Sequence, residues 1–194
     1  MTQTSPQSTV REMFPQSVAV ITQPSVATFE RFERRGTVRE AYIYVALAAL
    51  VSAGIAGFFG IFHADVNPLA QFVSRFVVVM LGFAVFTGLV YAIGRGLFKG
   101  TGTYSEVAYT FALFFVPISI IGAVLVIIPL LLWIIQLVVA LLFTYFGYLA
   151  VQSSMNIREQ IGAAVTLALS GLGLWIVNGA VATWLLSVWV LANR

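Results

Sequence analysis

Hydrophobic and polar positions in this chain segregate into long blocks instead of alternating. Past Glu106 no charged residue occurs until Arg158, and a polar glycine hinge, Gly100-Thr-Gly-Thr-Tyr-Ser-Glu106, leads into that run. About 20 apolar helical residues cross a ~30 Å hydrocarbon core, so the run is long enough to cross twice. Uncharged blocks place further spans on either side, and the predicted set is Ala41–Phe62, Phe76–Gly94, Val107–Ile128, Leu130–Val151 and Ile161–Val177. Backbone groups in lipid must be satisfied within the chain. The pattern therefore predicts an all-α membrane protein, a five-span transmembrane helix bundle with a short cytoplasmic N-terminal tail.

Within the third span, Pro117 removes one amide and predicts a kink, with the freed carbonyl taken up by Thr110 or Ser119. Pro129 ends the span and sets a tight antiparallel hairpin with the fourth. The last uncharged stretch covers 34 residues, Gln160–Asn193. One straight helix of that length would measure ~51 Å, more than a tilt of about 0–40° absorbs. It either breaks, with Asn178-Gly179 as the breaking point, or overhangs.

Ahead of the first span, residues 1–26 are rich in Gln, Ser, Thr and Pro without a sustained period and read as a disordered or loosely held cytoplasmic tail. Residues 27–40 form a juxtamembrane amphipathic segment. A helix over 27–35 puts Phe29, Phe32 and the stem of Arg35 toward lipid, with a turn near Gly36; the alternative is a solvated linker. Residues 41–193 make the membrane domain. Gly54, Gly57 and Gly60 recur every third residue, and Gly179, Thr183 and Ser187 every fourth, which gives two smooth helix-packing faces. Such faces fit a homo-oligomer or association with other membrane proteins.

Composition agrees with the blocks: 60% of the residues are hydrophobic and 9% charged, against about a quarter in soluble domains. The formal charge of +3 does not point to nucleic acid, because Arg31, Arg34, Arg35 and Arg39 cluster beside the first span, where an anionic leaflet is nearer. Eight basic residues flank the ends that share a side with the N-terminus (Arg11, Arg31, Arg34, Arg35, Arg39, Arg95, Lys99, Arg158), against Arg75 and Arg194 opposite. This puts the N-terminus in the cytoplasm and the C-terminus outside. Arg75 snorkels to the interface from the first turn of its span.

The chain has no cysteine and a single histidine, His63. His63, Asp65 and Asn67 share one loop, but nothing completes a coordination shell, so the loop is read as bilayer-edge and no metal or other cofactor is expected. No nucleophile–base set or carboxylate pair offers a catalytic residue, and no ionisable group lies deep in a span. Gln136, Thr144, Thr166, Ser170 and Asn178 are expected to bond between helices. Glu106 and Arg95, at the mouth of the hinge, are the charged residues best placed to face the bundle or to pair at its surface.

The hinge Gly100–Tyr109 leading to Pro117, the Pro129 hairpin and the polar connection Met155-Asn-Ile-Arg-Glu-Gln160 resemble the Yip family of five-span membrane proteins. The resemblance covers about residues 25–190, and the short tail looks like the bacterial branch. It implies a structural signature at Gly102, Tyr104, Glu106, Pro117 and Arg158. It implies a non-enzymatic membrane adaptor or membrane-organising protein in contact with the lipid bilayer. Eukaryotic relatives bind prenylated Rab-type GTPases and act in vesicle traffic; a bacterial member has no such partner and sits in the cytoplasmic membrane. The rival reading is a small transporter or lipid-handling protein with a cavity at a kinked third and a broken fifth span.

Overall fold

A computed structural model describes residues 6–62, 67–125 and 132–192, with side chains described over 10–62, 67–125 and 132–180. The described chain forms seven helices: α1 (Pro6–Thr22), α2 (Val26–Glu30), α3 (Val38–Gly60), α4 (Pro68–Phe98), α5 (Tyr104–Leu125), α6 (Leu132–Ser154) and α7 (Gln160–Ala192). α3 to α7 are each long and apolar enough to cross a membrane. This is an integral membrane protein with five spanning helices.

Local chemistry sets the boundaries. Thr37 caps α3 and Glu40 returns the bond to the Thr37 amide, a reciprocal capping box that starts the helix three residues earlier than charge alone indicates. Asn67 caps α4 with Pro68 in the first turn, where a missing amide costs nothing. α4 ends on Lys99, held at φ 53°, with the Gly100 amide donating back to the Gly94 carbonyl at 2.9 Å.

α5 is the central post. Of its apolar stretch 61% is buried inside the protein, against 17% to 44% for the other four spans. It packs on α3, α6 and α4, and α7 closes the bundle against α4 and α6. Phe114 is the hub of the aromatic core: Phe111, Phe143 and Phe146 lie 5.3 Å, 6.0 Å and 5.9 Å from it between ring centroids.

Three expectations change. Much of the segment read as a loose tail is helix α1, whose Met13, Gln16, Ser17 and Val20 are buried at helical spacing against α3 and α5. Phe29 and Phe32 do not face lipid: both are buried in the protein, on a five-residue helix and the turn after it, and α2 packs on α6. The last stretch does not break at Asn178-Gly179, because α7 is continuous and overhangs. A mid-helix glycine costs only about 1 kcal/mol, too little to end a helix packed on two neighbours.

α5 is helical on both sides of Pro117, which leaves the Leu113 carbonyl without its usual donor. Thr110 does not replace that donor, since its Oγ1 is buried with no hydrogen-bond partner among the described residues. The deep hydroxyls also differ from expectation. Thr144, Thr166 and Ser170 each donate to the carbonyl four residues back in their own helix instead of to a neighbouring one. The Pro129 hairpin and the loop residues His63 and Asp65 lie outside the described residues.

The glycine face of α3 divides. Methyl groups at Gly57 and Gly60 would lie 3.3 Å and 3.2 Å from Phe72 and Pro68, so these two seat α4, while one at Gly54 meets nothing within 4 Å. Gly179 likewise has open space at its Cβ position, and the side chains of Thr183 and Ser187 lie outside those described.

Candidate functional site

Three separate stretches meet at the N-terminal end of the bundle: the N-terminal segment, the α4–α5 hinge and the α6–α7 connection. The hinge is held by backbone. The Thr101 amide donates to the Met155 carbonyl at 3.1 Å, and a Cβ at Gly102 would fall 1.7 Å from the Ser154 carbonyl oxygen. Only glycine allows two main chains to approach this closely. Thr103 and Glu106 then make a second capping box. The Glu106 carboxylate accepts from the Thr103 amide at 2.7 Å, and Thr103 Oγ1 accepts from the Glu106 amide at 3.3 Å.

The N-terminal segment closes over this junction. Glu33 is buried, and its carboxylate accepts a 2.7 Å hydrogen bond from Ser153 of α6. Arg34 Nε lies 3.6 Å from Glu33 and 3.2 Å from Glu106. Because the Arg34 side chain is 74% exposed, this bridge contributes no more than about 1 kcal/mol. Burial strips water from the Glu33 carboxylate and raises its pKa above the ordinary 4.5; Glu106 and Glu30 add to the rise, and Ser153 and Arg34 oppose it.

Two buried bonds fix α1. Tyr109 donates its hydroxyl to Gln16 at 2.9 Å, and Ser17 and Tyr44 share a 3.0 Å bond. The Tyr109 ring also explains the turn: a Cβ at Gly36 would lie 1.9 Å from it, and Ser105 donates to the Gly36 carbonyl at 3.3 Å.

The five signature positions do not form one site. Gly102, Tyr104 and Glu106 share the hinge, where the Tyr104 hydroxyl bonds those of Tyr42 at 2.7 Å and Thr87 at 3.2 Å and so joins α3, α4 and α5. Pro117 lies more than three turns further along α5, and Arg158 lines a separate ~260 Å³ hollow with Glu30, Gln152 and Asn156. Glu106 pairs with Arg34 and not with Arg95, which instead donates to the Tyr91 hydroxyl over that ring. Among the described residues no three acidic or histidine side chains gather as a metal site.

Comparison with known families decides the identity. The Yip1 domain matches residues 18–180, most of the chain and every residue of the junctions just described except Gln16 and Ser17. The chain belongs to the Yip1-domain family. No curated protein and no solved structure matches it. In this Yip1-domain protein Gly102 permits the close approach of hinge and α6, Tyr104 joins three helices and Glu106 caps α5. Glu33, Ser153, Gln16 and Tyr109 escaped the sequence reading because their contacts join residues 93 and 120 positions apart. The two Thr-x-x-Glu capping boxes were the local signal available.

Proposed function

We propose that this Yip1-domain chain is a non-enzymatic membrane adaptor or membrane-organising protein that engages other membrane proteins, or a second copy of itself, through its N-terminal face. One observation carries the reading. With Met13, Gln16, Ser17 and Val20 turned inward, α1 presents Phe14 and Val18, 66% and 46% exposed, on its outer side. They are four residues apart on a helix fixed by two buried hydrogen bonds, so this is a rigid apolar ridge and not a stray side chain. The eight-to-two basic asymmetry supports a cytoplasmic N-terminal face, in a bacterial cell on the cytoplasmic membrane.

A photo-crosslinking residue at Phe14 or Val18 is expected to capture a membrane protein or a second copy in intact cells, while one at Leu69, at the other end of the bundle, does not. Equal capture at all three positions, or lipid adducts alone, would remove the adaptor reading. Where the host makes Rab-type GTPases, a prenylated one is the first partner to test. The transporter reading has less support, since its fifth-span break is absent from the continuous α7.

A further inference from the structure

At the end of the bundle remote from the N-terminus, α3, α4, α5 and α6 enclose a cleft of about 610 Å³. This is within the ~300–1,000 Å³ of small-molecule sites. Among the described residues five polar side chains line it: Ser52, Gln71, Arg75, Ser119 and Gln136. None of them makes a side-chain hydrogen bond or ion pair with another described residue. Elsewhere in the spans the hydroxyls of Thr87, Thr144, Thr166 and Ser170 are satisfied by their own helix, and that of Thr110 is not. Ser52 forgoes that bond although it is only 5% exposed. Gln71, Arg75 and Gln136 are exposed along the cleft, so their polar ends are open to a ligand that enters it.

Snorkelling accounts for the level of Arg75 but not for four neutral polar groups turned into the same cleft from three other helices and its own. Arg75 begins the uncharged run of α4 that continues to Arg95, so it lies at the hydrocarbon boundary. From Gln71 to Val79 the cleft follows α4 for ~12 Å, part of it past that boundary. Its deeper wall carries Phe115 and Phe143, with ring centroids 5.6 Å apart. Among the described lining residues, one cation at the boundary, amide and hydroxyl groups around it and an apolar wall leading inward match one ligand shape.

We propose that this cleft binds one anionic phospholipid of the adjoining leaflet, its phosphodiester against Arg75 with Gln71, Gln136 and the two serines around it, and one acyl chain along the apolar wall. The one positive charge among the described lining residues matches a monoanionic headgroup. A guanidinium–phosphate contact is charge-assisted and holds its partner more strongly than a neutral hydrogen bond. The lateral position in the bundle makes lipid the source, not a soluble phosphate.

Native mass spectrometry of the full chain in mild detergent, titrated with phosphatidylglycerol and with phosphatidylcholine, tests this. The wild type is expected to retain one phosphatidylglycerol with at least about tenfold preference. Arg75→Gln abolishes the preference, Arg75→Lys keeps most of it, and Ala123→Trp, which fills the cleft without touching the charge, loses the bound lipid. Arg95→Gln, at the opposite boundary, leaves it unchanged, and millimolar inorganic phosphate does not displace it. Undiminished preference in Arg75→Gln, an equal loss in Arg95→Gln, or displacement by phosphate would each overturn the proposal. If Arg75→Gln does not yield folded protein, Ala123→Trp decides: retention of the lipid in that variant refutes the site.

Discussion

The ring of Phe29 meets that of Phe114 edge-on, at 6.2 Å between centroids and 87° between planes. It ties the N-terminal segment to the hub of the membrane core. Truncating a buried phenylalanine costs about 3–5 kcal/mol. Phe29→Ala is therefore expected to free residues 6–36 to limited proteolysis while the five spans stay assembled, and Phe114→Ala to loosen both. Unchanged protection of the segment in Phe29→Ala would show that the segment is held elsewhere.

Gly102 and Gly54 make a matched pair. A methyl group at Gly102 strikes the Ser154 carbonyl, which is backbone and cannot rotate away, whereas one at Gly54 meets nothing. Gly102→Ala should lower thermal stability in detergent by at least the ~1–3 kcal/mol typical of overpacking. Gly54→Ala should be neutral or stabilising by up to about 1 kcal/mol through helix propensity. Equal melting temperatures for the two variants would count against the close approach of hinge and α6.

Glu33 gives the N-terminal junction a pH dependence. Its folded-state pKa is raised, so the folded protein holds its proton more tightly than the unfolded chain. The linked stabilisation is fully present below the ordinary value of 4.5 and is lost as pH rises through the raised value. Protease protection of residues 6–36 should accordingly weaken as pH rises across that interval. Glu33→Gln, which stays neutral and can still accept from Ser153, should flatten the profile; a wild-type-like slope in this variant would exclude Glu33 as its source.

Orientation is testable because the chain has no cysteine. A cysteine at the exposed Thr101 should be shielded from a membrane-impermeant thiol reagent in intact cells, and one at the exposed Leu69 should react. The reverse pattern would invert the topology expected from the basic residues.

The spanning helices were legible because burial in lipid demands long uncharged runs, and no charged residue interrupts those runs in α3, α5 or α6. Their ends were less so, since Thr37, Asn67 and Thr103 begin helices in polar sequence where capping, not hydropathy, sets the boundary. Helix α1 was hidden for a different reason. Its inward stripe of Met13, Gln16, Ser17 and Val20 has the right spacing, but two of the four are polar and find their partners on Tyr109 and Tyr44. No apolar period can report a face that is buried by hydrogen bonding. The cleft around Arg75 was invisible too, because its polar residues are scattered over four helices and converge only once these pack.

The contacts of Phe29 also impose an order on synthesis. Phe114 and the helix α6 on which α2 packs are made long after residues 6–36 have left the ribosome. Residues 6–36 thus settle only once helices made after them are in place. Until α5 and α6 are inserted, Phe29 lacks its ring partner and α1 has only part of its seat, on α3. Closure of this segment then requires that α5 and α6 be in place.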